Sequence, residues 1–325
     1  MKKAFSIFFI LVLIICYKYD IYQRVINGYN LNKNPVSKRI NKDYEENIDK
    51  FSNIKIGDSK DTVINKLGKP ERIDKSEYLF NWYVYKNNKE KLVMIGIEND
   101  KVVSLFTNSI NSIESENIDI NNDINYIRKN FEVLKYKIKG NIKYKIISND
   151  EYDIIYINKK YITVFYDKHN DNKIWAYEII SYSSENEVDN IYPKKDKNIE
   201  ESFMKEIIDL TNCTRYVNDL PPLKYDEKAT ICATKHSKDM RDNKYFDHNN
   251  LNEETPFDRM KKEGIYYTSA GENIAAGQSN SVFVHNGWLN SLGHRKNILG
   301  NYKYIGIGIV FGGNYNTYYT ENFFG

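Results

Sequence analysis

The sequence predicts an α+β chain of two folded domains behind an N-terminal hydrophobic segment, and three observations carry that expectation. Its 325 residues exceed one ordinary compact domain. Hydrophobic residues at 41% and charged residues at 28% can build cores and exclude wholesale disorder. Apolar positions follow helical spacing in some stretches and alternate in others, in the order helix then strands, twice, before a helix-rich last third. The balance of 47 basic and 44 acidic residues leaves +3, which gives no electrostatic reason to expect nucleic acid as a partner. Three cysteines are too few for a disulfide-knit scaffold or a four-thiolate zinc site.

The chain opens Met1-Lys2-Lys3 and then runs uncharged from Ala4 to Tyr17. Two lysines before such a run have the layout of a secretory signal, residues 1–20, either cleaved or kept as a membrane anchor through residues 4–17. The run is short for a spanning helix. No small-residue cleavage site follows, and Ile15 stands where a lipoprotein signal would need a small residue before Cys16. Retention as an anchor is favoured, and the rest of the chain is expected to be extracytoplasmic, membrane-anchored or secreted. Residues 21–53 are polar and weakly patterned, as a tether would be.

Residues 54–183 are expected to form a duplicated α+β domain. Ser59 caps a helix that Gly68 stops, with Val63, Ile64 and Leu67 on one face. Strands follow at 82–85, 92–97 and 102–106, with an Asn99-Asp100 corner. A second helix at 122–130 leads to strands at 152–157, 161–166 and 174–180, with an Asn158-Lys159 corner. His169 lies in a turn and carries no expected role. The polar stretch 184–200 reads as an interdomain linker.

The last third, 201–325, carries the chemistry. Helices are expected over 201–216 and 226–243. Ala229, Cys232, Ala233, His236 and Met240 share a face of the second, which makes His236 a core histidine with a hydrogen-bond partner. Cys213 is expected on an exposed face and unpaired with Cys232. The pattern Gly306-x-Gly308 lies within a strand with no helix after it, so it is not a nucleotide loop. Ser237 and His236, being neighbours on a helix, point apart and make no catalytic pair.

Six motifs occur here in one order: LPPL, HSKDM, YFDH, PFDRM, GENIAAG and W-x-x-S-x-G-H-R-x-N-I-L. Together they resemble the bacterial branch of the CAP superfamily, the cysteine-rich secretory protein, antigen 5 and pathogenesis-related 1 group, over about 203–325. The preceding region resembles the CAP-associated N-terminal domain of exported Firmicute proteins. The resemblance implies an α-β-α sandwich with a cleft formed by His248, Glu272 and His294, the second acid position of the family falling on Ser291. It also implies a possible divalent cation such as zinc on His248, Glu272 and His294, weakened by the serine at 291. The residues alone leave a second reading open, a hydrogen-bonded network bracing loops around a shallow cleft. Arg295 is expected to pair with an acid or a carbonyl, and His285 to be packed.

Three functions compete. The first is a surface-held protein that binds a ligand or a partner protein through the cleft without turnover. The second is a metal-dependent hydrolase of peptide or cell-wall material using His248, Glu272 and His294, which the missing acid disfavours. The third is lipid binding, implied only by eukaryotic relatives.

Overall fold

The computed structural model describes residues 54–87, 91–108, 118–119 and 121–325; the expected signal segment and tether lie outside them. Among the described residues no helix is long and apolar enough to cross a membrane.

The first domain is one sheet built twice. Helix α1 (Lys60–Leu67) begins at Ser59, whose hydroxyl accepts from Thr62 N, and ends at Gly68. Strands β1 (Arg72–Lys75), β2 (Asn81–Asn87), β3 (Lys91–Glu98) and β4 (Lys101–Thr107) follow. Helix α2 (Ile124–Asn130) opens the second copy, capped by Asp123. A hairpin of β5 (Tyr136–Lys139) and β6 (Ile142–Lys145) precedes β7 (Tyr152–Ile157), β8 (Lys160–Asp167) and β9 (Lys173–Ser181). The sheet runs β1-β2-β3-β4-β9-β8-β7. The last strands of the two copies are thus neighbours, paired antiparallel from Ser104↔Ile180 to Thr107↔Tyr177. Each copy carries the same irregularity between its final two strands, at Gly96/Ile97 and at Phe165/Tyr166. Both expected corners are left-handed at both residues, which turns a hairpin with the twist of its strands.

Both faces of this sheet are buried, which explains its long apolar runs. Helices α1 and α2 cover one face through Val63, Ile124 and Ile127. On the other face Phe80, Trp82, Phe106 and Phe165 share a cluster with Leu210, Cys213 and Val282 of the C-terminal domain. Cys213 is 3% exposed, contrary to the expectation of an exposed face; the neighbouring domain supplies the cover that a single-helix pattern does not reveal. Cys213 and Cys232 are not bridged.

The expected linker is shorter than 184–200. Helix α3 (Tyr182–Asn186) is capped by Ser181, and helix α4 (Lys197–Tyr216) is already under way at Lys197 because Asp196 caps it. The chain continues through β10 (Lys224–Tyr225), α5 (Glu227–Asn243), α6 (Pro256–Lys262), β11 (Ala270–Ala276), α7 (Ser281–Asn290), α8 (Leu292–Ile298), β12 (Tyr304–Phe311) and β13 (Thr317–Phe324). The second sheet is ordered β10-β12-β13-β11, with β10 and β12 parallel and the other pairs antiparallel.

This sheet lies between helices. Ile305, Ile307, Ile309 and Phe311 pack with Phe203 and Ile207 of α4 and Trp288 of α7. The alternate residues of β12 meet α5 at very close range. A Cβ on Gly306 would lie 2.3 Å from backbone atoms of Ala229 and Thr230, and one on Gly308 would lie 2.0 Å from Thr234 N. The glycines therefore let a helix lie directly on a strand.

The two domains are joined by more than apolar packing. Arg72 pairs with Asp209 at 2.5 Å, and Lys75 N donates to Ser202 Oγ at 2.9 Å. Trp175 Nε1 donates to Asn286 Oδ1 at 2.7 Å, and Asn290 Nδ2 donates to the Tyr166 carbonyl at 2.8 Å. His169 Nε2 bonds the Asn290 carbonyl oxygen at 3.1 Å, so the turn histidine is an interface group.

Candidate functional site

Alternation along β11 sends Glu272 and Ile274 toward α5, and Asn273 and Ala275 toward α4. Glu272 is 6% exposed, and both of its carboxylate oxygens are engaged. His248 Nδ1 donates to Oε1 at 2.9 Å, and Arg259 Nη2 donates to Oε2 at 2.7 Å. The hydrogen bond fixes His248 as the Nδ1–H form when neutral, leaving Nε2 as the acceptor.

His248 comes from the loop after α5, which starts at the left-handed Lys244. Asn250 shapes that loop by accepting from Asn252 N at 3.0 Å and Glu254 N at 2.9 Å. Thr255 and Asp258 then form a capping box that starts α6, with Pro256 in its first turn. The result aims Arg259 inward. Its Nη1 also holds the carbonyls of His248 at 2.7 Å and Glu254 at 2.9 Å. One guanidinium therefore ties the loop of one histidine to the acid on the sheet.

His236 is a buried histidine with a partner, as the helix pattern predicts, yet it also borders the site. Its Nε2–H donates to the Asp247 carbonyl at 3.0 Å and lies 4.0 Å from Glu272 Oε1. Burial, foremost, lowers its pKa, and its Nδ1 is buried without a partner.

His294 projects from α8, and burial first and then the neighbouring His248 lower its pKa. Its Nδ1 is buried without a partner. The backbone of α8 is held to β11 from below: Asn273 Nδ2 donates to the His294 carbonyl at 3.2 Å and to Glu321 Oε2 at 3.0 Å. Thr211 donates to the other oxygen of Glu321 at 3.0 Å. Asn297 Nδ2 donates to the Glu272 carbonyl at 3.1 Å and to Asn273 Oδ1 at 2.9 Å. Ser291 sits at the junction of α7 and α8 and makes no side-chain cap bond. The first domain reaches this helix too, because Arg295 pairs with Asp167 at 3.0 Å. His285 is fully buried, bonded to Thr214 Oγ1 at 2.9 Å, and burial lowers its pKa to about 3.

The structure thus brings His248 and Glu272 into direct contact and places His294 within electrostatic reach of His248. Sequence reasoning missed Arg259 and Glu321. Arg259 stood inside the PFDRM motif, but no spacing rule links it to an acid thirteen residues on. Glu321 stood beside Asn322 in the last strand and reads as an edge residue until the sheet order is known.

A three-ligand metal set does not fit this arrangement. Among the described residues no group of three or more His, Cys, Asp and Glu side chains is disposed to hold a metal ion. The donor chemistry agrees, since Glu272 already accepts from an imidazole and from a guanidinium. Its place is that of a carboxylate orienting a histidine. The histidine edges are what the cleft presents.

Comparison with known proteins places both halves. Residues 208–323 match the sequence profile of the cysteine-rich secretory protein family, and residues 56–190 match the CAP-associated N-terminal profile. The uncharacterized membrane protein YlbC of Bacillus subtilis (strain 168) is 32% identical over 288 residues, covering 82% of each chain. The chain belongs to the cysteine-rich secretory protein (CAP) family. A second Bacillus subtilis protein, YkwD, is 44% identical over 125 residues, 38% of this chain and 48% of its own length. The crystal structure of an extracellular SCP-domain protein from Bacillus anthracis (str. Ames) superposes with a TM-score of 0.71 at 27% identity, over 89% of this chain and 98% of that one. A cysteine-rich secretory protein from Staphylococcus aureus (subsp. aureus Mu50) shares the fold, with a TM-score of 0.64 at 16% identity over 83% of this chain and 93% of that one. The CAP domain with its α-β-α layers and the CAP-associated domain before it are the architecture the motifs imply.

Proposed function

We propose that this CAP protein acts outside the cytoplasmic membrane, held there by residues 4–17, and binds a ligand or partner protein through the His248/Glu272/His294 cleft without turning it over. The observation that carries the reading is the state of Glu272. With one oxygen on His248 and the other on Arg259, and only 6% of the residue exposed, the only carboxylate among the three cleft residues is committed to orienting an imidazole and holding a guanidinium. A hydrolase would need that carboxylate, or one at Ser291, to accept a proton. The likeness to a membrane protein of Bacillus subtilis and to an extracellular protein of Bacillus anthracis supports the location.

A divalent cation, if taken up, meets two imidazoles, from His248 and His294, and binds weakly. The purified full chain, incubated with zinc, is expected to leave casein, peptidoglycan and ester substrates intact. Zinc-dependent turnover lost in His294→Ala would overturn the binding reading in favour of the hydrolase. Protease added to intact wall-less cells should degrade the chain, and protection until lysis would refute the location.

A further inference from the structure

A cavity lies away from the cleft, where the two domains meet. It has a volume of about 500 Å³ and is bounded by the sheet of the first domain, the β5–β6 hairpin and the segment leading into α7. Glu178 on β9 is one of its buried charged groups. Alternation along β9 turns Ala176, Glu178 and Ile180 toward the CAP domain, and the two apolar neighbours are absorbed in the shared cluster. Glu178 is 3% exposed and makes no hydrogen bond or ion pair with any described residue. Burial first, and then the charge of Glu77, push its carboxyl up to about 8, with Lys137 offsetting only part of that rise.

The nearby lysines form their ion pairs elsewhere. Lys137 and Lys139 both turn to Glu185, at 2.7 and 2.5 Å, and Tyr78 donates to the same acid at 2.8 Å. Lys145 stands at the exposed side of the hairpin. Of the other acids lining the cavity, Glu151 pairs with Lys168 at 3.7 Å, and Glu77 accepts from the Asn280 amide at 2.6 Å and from backbone N–H, with no lysine or arginine ion pair among the described residues. Around these acids stand the rings of Tyr144, Tyr152, Tyr192 and Phe283. Phe283 meets Tyr152 edge-on, with centroids 4.9 Å apart.

We infer that this interdomain cavity binds the ammonium group of a small organic molecule, with Glu178 and Glu77 as its counter-charges and the aromatic rings as its walls. The chemistry is general: a buried carboxyl that keeps its proton in the empty cavity releases it beside a cation and becomes that cation's counter-charge, and ring faces attract ammonium groups once water is excluded. A bare metal ion would leave most of the volume and all of the aromatic lining unused. The site is distinct from the His/Glu cleft and would stand or fall separately from the function proposed there.

The test is calorimetric titration of the purified full chain with two ammonium probes, choline and Nα-acetyl-lysine methylamide. The uncharged isostere of choline, 3,3-dimethylbutan-1-ol, serves as control. Saturable binding of at least one ammonium probe is expected near or below about 1 mM, with the control at least tenfold weaker. Choline alone would point to quaternary ammonium ligands and the lysine derivative alone to a primary amine or a peptide side chain. Glu178→Gln, close in shape, should weaken binding at least tenfold, and Tyr144→Ser on the hairpin should weaken it severalfold with the fold intact by circular dichroism. No binding of either probe, equal binding of the uncharged control, or full binding by both variants would overturn the inference. Probe binding unaffected by His294→Ala would keep it separate from the cleft.

Discussion

Arg295 sets both terminal nitrogens of its guanidinium against the carboxylate of Asp167, Nη1 on Oδ1 and Nη2 on Oδ2, each at 3.0 Å. The arginine directly follows His294, and the aspartate ends β8 of the CAP-associated domain. A planar fork of this kind fixes direction as well as distance. The N-terminal domain thereby holds the helix that carries one of the two cleft histidines.

Asp167→Ala should release that helix. Both side chains are mostly buried, so the loss is expected at about 2 kcal/mol. Urea unfolding of the full chain measures it, and amide exchange should quicken in residues 292–298. Wild-type stability with unchanged exchange would show that the fork positions nothing.

Glu272 and Arg259 should behave as a pair. Removing one charge strands the other in a buried place, at about 3 kcal/mol for either Glu272→Gln or Arg259→Met. The double variant should cost clearly less than the sum. Additive costs in a double-mutant cycle would mean that the two do not interact.

Stability should fall as pH rises from about 6.5 to about 8, the range above the ordinary histidine value. In the folded chain the carboxyl of Glu321 is raised to about 7 and that of Glu178 to about 8, mainly by burial. Each holds a proton when folded that it has lost when unfolded, so its contribution is present below the ordinary carboxylate value and disappears as pH passes the folded one. His285, lowered to about 3, has the opposite sign, but its change is complete once the unfolded histidine is neutral. Glu178→Gln should flatten the decline by about 1–2 kcal/mol. A pH-independent wild type over this range would contradict the assignment.

Gly308→Ala should prevent folding or cost more than about 4 kcal/mol, since its Cβ would fall 2.0 Å from Thr234 N. Gly293→Ala has nothing within 4 Å and lies in α8, so it should be neutral or stabilise by up to about 1 kcal/mol. Equal effects of the two would refute the close packing of α5 on β12.

Ser291→Glu should tighten zinc binding measured by calorimetry, because it adds an anion beside two imidazoles. An unchanged titration would place Ser291 too far from the histidine edges to serve as the missing acid.

Much of the fold could be read from local chemistry. Ser59, Gly68, Asn99-Asp100 and Asn158-Lys159 act through their own backbone, and each does what its residue type implies. The β5–β6 hairpin went unread although its lysines and apolar residues alternate about Gly140-Asn141, the form such a turn takes. Cys213 was misplaced because its cover comes from Phe80 and Trp82, more than a hundred residues away. In the cleft, His248, Glu272 and His294 were carried by motif, whereas Arg259 depends on where a capping box aims a short helix. Local patterns find elements, and only their assembly reveals which charge faces which.

The cluster holding Phe80, Trp82, Leu210, Cys213 and Val282 is owned by neither domain, and it removes the hinge that two sequence families in tandem would ordinarily be granted. With that core shared, the doubled sheet and the cleft are packed as one body. Whatever the cleft holds is displayed at one bearing to the first domain, as a tool is held by its handle. Turning the handle would turn the tool, and a partner that grips only the doubled sheet would still govern which way the histidines face.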